Sequence, residues 1–71
     1  MNKALLRTYV RSALTSVPQS PHEITAKLQK EFPQEKAITN GRVMIILNQL
    51  YSAGLCGASG NSNTETLYYD R

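Results

Sequence analysis

Residues 39–55 read TNGRVMIILNQLYSAGL, and this stretch decides the fold. Val43, Ile46, Leu47 and Leu50 recur at three- and four-residue steps, the spacing of one apolar helix face. Thr39 or Asn40 can cap the start, because a short oxygen-bearing side chain accepts from the orphan N–H groups of a first turn. Gly54 supplies the left-handed residue that commonly ends a helix. The spacing predicts a helix over about Asn40 to Ala53.

Working outward, two more amphipathic helices precede it. Leu6, Val10, Ala13, Leu14 and Val17 form a stripe over about Asn2 to Ser16, widened by Leu5 and Tyr9. Pro18 ends that segment, since the residue before a proline is pushed out of the helical region. Ser20-Pro21-His22-Glu23 then reads as a helix start: Ser20 caps, Pro21 fits the first turn, and Glu23 closes a capping box. Ile24, Leu28 and Phe32 follow on one face, giving a helix over about Pro21 to Phe32 that Pro33 closes. A polar connection, residues 33–38, leads to the third helix. Beyond Leu55-Cys56, residues 57–63 are rich in turn formers, and Thr66-Leu67-Tyr68-Tyr69 has high strand propensity. Two short strands around that tip make a β-hairpin.

The chain has 71 residues and reads as one domain over 1–71. A domain of this size buries roughly 60% of its unfolded surface, enough for one core and no separate catalytic unit. No run of about 18 apolar residues is present, so no membrane span is expected. Arg7 interrupts the N-terminal apolar stretch too early for a signal peptide, and a cytoplasmic location is expected. One Cys and one His cannot furnish the usual four-ligand zinc site, and Cys56 is read as a buried structural thiol. The net charge of +3 is compatible with an anionic partner without requiring one.

The order helix, helix, helix, hairpin resembles the winged helix-turn-helix family, and the residues carry the resemblance too. Glu23-Ile24-Thr25-Ala26-Lys27-Leu28 looks like the second-helix signature of these domains. Val43, Leu47, Leu50, Gly54 and Leu55 are similar to the third helix and its exit into the wing, and Leu67-Tyr68-Tyr69 to the second wing strand. The resemblance covers about Leu5 to Tyr69. It implies an α+β fold, three helices followed by a two-stranded β-hairpin wing. It also implies sequence-specific binding of double-stranded DNA by a small bacterial or phage transcriptional regulator, with no cofactor.

In that family the outward face of the third helix reads bases. Here that face includes Asn40, Gly41, Arg42, Ile45, Asn48 and Gln49. Arg42 can pair with guanine, and Asn48 or Gln49 with adenine. Thr39 and Asn40 stand at the helix N-terminus, which favours phosphate. Lys27 and Lys36 flank this face and can hold phosphates without reading sequence. Two features depart from the family. Met44 and Ile45 stand where polar or basic residues are usual, within the apolar run Val43-Met44-Ile45-Ile46. They may be read as thymine-methyl contacts, as packing against the wing or first helix, or as a protein interface; packing or an interface is preferred. Residues 57–69 hold no Lys or Arg and include Glu65, so the wing would rely on backbone N–H groups and on Asn61, Ser62 and Asn63. Lys3, Arg7 and Arg11 repeat every four residues on the first helix, either as a solubilising face or as a second contact to phosphate or an acidic partner.

No catalytic constellation, phosphate loop or metal-ligand spacing is evident, and His22 is expected to be exposed, so an enzyme is not expected. Two readings stand. One is a DNA-binding regulator, acting as a homodimer, as a monomer or cooperatively. The other is a winged-helix protein-interaction module, an adaptor or inhibitor docking through Met44, Ile45 and Arg42.

Overall fold

The computed structural model describes residues 2–60 and 66–71, with the Lys3 side chain left aside. Its elements run α1 (Lys3–Ala13), α2 (Pro21–Glu31), α3 (Asn40–Ser52), β1 (Cys56–Gly60) and β2 (Thr66–Asp70). This is an α+β arrangement of three helices followed by an antiparallel hairpin, the layout of a winged helix.

Local chemistry sets the helix ends. Asn2 caps α1, its side-chain oxygen accepting from the Leu5 N–H at 2.8 Å. At α2 the capping box closes both ways: the Glu23 N–H donates to Ser20 Oγ at 3.1 Å, and the Ser20 N–H donates to Glu23 Oε1 at 3.2 Å. Thr39 rather than Asn40 caps α3, accepting from the Arg42 N–H. Gly54 adopts φ 75° just beyond α3. It donates to the Tyr51 carbonyl at 3.0 Å while the Leu55 N–H donates to that of Leu50 at 2.9 Å, a Schellman closure that turns the chain into β1.

The core joins Leu6, Val10, Ala13 and Leu14 of α1 and its end, Ile24 and Leu28 of α2, and Val43, Ile46, Leu47 and Leu50 of α3. Cys56 and Tyr68 of the hairpin complete it. Ile38 is also buried there, a core residue inside the connection read as polar. Gln29 holds that connection in place, its side-chain amide donating to the Ile38 carbonyl at 2.9 Å. Cys56 is the buried thiol expected, and burial pushes its pKa up.

Three features correct the sequence reading. α1 stops at Ala13, not near Ser16, and Val17 is 65% exposed rather than part of the apolar stripe. The cause is the outer edge of β2. The Asp70 N–H donates to the Thr15 carbonyl at 2.7 Å, and Gln19 and Tyr68 exchange bonds of 2.9 and 2.7 Å. The chain between α1 and α2 is thereby drawn into extended form against β2, well before Pro18. Leu5, placed on the flank of the stripe, is 41% exposed. Finally, β1 continues to Gly60, although Gly57 onward reads as turn.

Gly57 explains that last difference. It is the cross-strand partner of Tyr69, and the Tyr69 ring lies directly over it. A Cβ at position 57 would overlap the outer atoms of the Tyr69 ring, so any larger residue must push that ring aside. We expect Gly57→Ala to lower unfolding free energy by about 1–3 kcal/mol, the usual cost of overpacking. In a Tyr69→Ala background the same change should cost clearly less. Equal losses by denaturant titration in both backgrounds would show that the ring is not the cause.

Candidate nucleic-acid interface

Burying Val43, Ile46, Leu47 and Leu50 fixes the rotation of α3. With 3.6 residues per turn, the line opposite them is Gly41, Ile45, Asn48 and Ser52, all exposed. Arg42 and Gln49, two turns apart, form one flank, and Met44 and Tyr51, likewise two turns apart, form the other. Met44 is 54% exposed and Ile45 57%, which removes burial against the wing or α1 as an account of the pair. Tyr51, 52% exposed, extends the same apolar flank and escaped the sequence reading, although its position seven residues after Met44 could have placed it there.

The polar residues assigned from sequence sit as follows. Asn40 and Thr39 are exposed at the start of α3. Arg42 is exposed and donates one guanidinium N–H to the Ala37 carbonyl at 3.3 Å. That contact uses one of five donors and steadies the side chain beside the helix N-terminus. Asn48 and Gln49 are exposed, and both line an open groove with Ile45, Ser52, Ala53 and Arg7. Arg7 reaches this groove from α1. Its four-residue spacing from Lys3 and Arg11 marks it as a surface cation, but only the packing of α1 on α3 brings it into the groove that Gln49 lines.

Lys36 is exposed on the α2–α3 connection. Lys27 is committed elsewhere: its ammonium donates to the Ala13 carbonyl at 3.0 Å, at the negative end of α1. It lines a second groove with Tyr9, Ser12, Glu31 and Phe32, where the Tyr9 and Phe32 rings stack at 4.3 Å. Asn61 and Asn63, with Ser62 and Glu65, lie outside the described residues. His22 is exposed, as expected.

Charge is unevenly spread. α1 carries Lys3, Arg7 and Arg11 and α3 carries Arg42, with no carboxylate on either helix. α2 balances Lys27 and Lys30 with Glu23 and Glu31, and the strands β1 and β2 carry only Asp70. Among the described residues no helix is long and apolar enough to cross a membrane.

Comparison with protein-family models, with curated proteins and with solved structures finds no match to this chain.

The placement of Lys27 separates stability from binding. Lys27→Ala should lower unfolding free energy by about 0.5–1 kcal/mol through loss of the cation at the α1 terminus. Thermal or denaturant unfolding checks this, and an unchanged midpoint would mean that the bond to Ala13 contributes nothing.

Proposed function

We propose that this protein binds double-stranded DNA, with α3 entering the major groove and reading sequence through its outer face. The observation that carries this reading is the outer face itself. It is solvent-exposed along the whole of α3, free of carboxylates, and it offers Arg42, Asn48 and Gln49, the side-chain types that pair with base edges. The buried inner face holds the helix at fixed rotation, and the major groove, about 12 Å wide, admits a helix. The N-terminus of α3, with Thr39 and Asn40, faces the phosphates, and Lys36 adds a nearby cation. Resemblance to winged helix-turn-helix regulators supports the same role: a small intracellular regulator of transcription, acting by binding rather than by catalysis. The strands carry no Lys or Arg, so α3 bears more of the affinity than the hairpin does.

A second reading has its own observation. Met44, Ile45 and Tyr51 are each more than half exposed, and apolar residues gathered on one helix suit a protein partner or a second copy of the chain.

Fluorescence anisotropy with labelled duplexes from a randomised pool separates the two. Duplex affinity should fall steeply as salt rises. Asn48→Ala and Arg42→Ala should each cost about 1–3 kcal/mol on the selected site and relax preference at one base pair. Absence of duplex binding at low salt, with a folded protein, would favour the protein-docking reading.

A further inference from the structure

The groove between α1 and α3 has one cation, Arg7, on its α1 wall. Its other wall is α3 and its C-cap: Ile45, Asn48, Gln49, Ser52 and Ala53. These are the C-terminal half of the face proposed to read bases. No carboxylate lines the groove, and its polar groups are two amides, a hydroxyl and a guanidinium. Arg42 lies on the same flank of α3 as Gln49, seven residues earlier, about 10 Å along the axis at 1.5 Å per residue. Two guanidiniums therefore stand on one side of the helix, one near its start and one near its end. With Lys3 and Arg11, they make α1 and α3 the positively charged part of an otherwise nearly neutral chain.

We infer that this groove seats the sugar–phosphate backbone of one DNA strand beside the major groove, with Arg7 holding a phosphate while Asn48 and Gln49 face the adjacent base edges. The inference rests on the DNA-binding reading and specifies how α3 is held. A helix anchored to phosphate only at its N-terminus can swing about that end. A second anchor from α1 near its C-terminal half fixes its tilt and sets which base pairs Asn48 and Gln49 meet. Charge complementarity favours the phosphate strand as occupant: the groove offers the Arg7 guanidinium and neutral hydrogen-bonding side chains and no carboxylate, and that guanidinium must outweigh the partial negative charge of the α3 C-terminus at Ser52 and Ala53.

Arg11 supplies the internal control. It is one turn further along α1, exposed and of the same charge, but it does not line the groove. Arg7→Gln and Arg11→Gln therefore remove equal net charge from different places. Duplex affinity is measured from 50 to 300 mM salt for wild type, both variants and Arg7→Lys, with circular dichroism confirming helix content. Arg7→Gln should reduce the slope of log affinity against log salt by about 1 and weaken binding to the matched duplex about tenfold at 0.1 M salt. Arg7→Lys should keep the slope, and Arg11→Gln should leave it close to wild type. If Arg7→Gln matches Arg11→Gln while wild type binds duplex, the groove assignment is overturned and the DNA reading stands. If folded wild type binds no duplex at 50 mM salt, both are overturned.

Discussion

Burial of Val43, Ile46, Leu47 and Leu50 against α1 and α2 fixes the rotation of α3, and the rest of the molecule follows from that rotation. Fully burying one such side chain is worth about 1.5–3 kcal/mol. Turning the helix far enough to hide Met44 or Ile45 would expose at least one of the four, a loss comparable to the gain and large against the roughly 5–15 kcal/mol by which native domains are stable. Two large apolar residues are therefore left facing solvent. They stand beside Asn48 and Gln49 because the helix repeat puts them there.

The hairpin depends on a second constraint, the pairing of β2 on both edges. One edge meets β1, and the other takes the Thr15 and Gln19 backbone. This ties the end of the chain to the connection between α1 and α2 and sets where α1 must stop. α1 packs on α3 so that Arg7 lines a groove with Gln49, while Lys27 donates to the Ala13 carbonyl at the C-terminal end of α1. Two cations thus have different work: the Lys27 ammonium satisfies a helix carbonyl, and the Arg7 guanidinium is left to face the groove.

Much of this was legible in the sequence. The α3 stripe, Gly54, and the Ser20–Glu23 capping box are local patterns, and local patterns are what hydrogen-bond and packing periodicity write directly into a chain. The end of α1 was not legible, because the pairing that ends it comes from Thr15 and Gln19 meeting residues some fifty positions away. Gly57 reads as a turn residue for a similar reason: its role as the floor under Tyr69 exists only once the strands are in register. Of the candidate site, the exposure of Asn48, Gln49 and Arg42 follows from helix periodicity. The commitment of Lys27 to Ala13 and the arrival of Arg7 at α3 depend on interhelical packing, which no spacing encodes.

The central claim is that the outer face of α3 is the working surface. Titrating isotope-labelled protein with a selected short duplex, while following the side-chain amide signals of Asn48 and Gln49 by NMR, tests it most directly. The account predicts that these signals shift early and saturate together with the backbone amides of Gly41, Ile45 and Ser52. Shifts concentrated instead on the exposed face of α2, around Gln29 and Lys30, would contradict it.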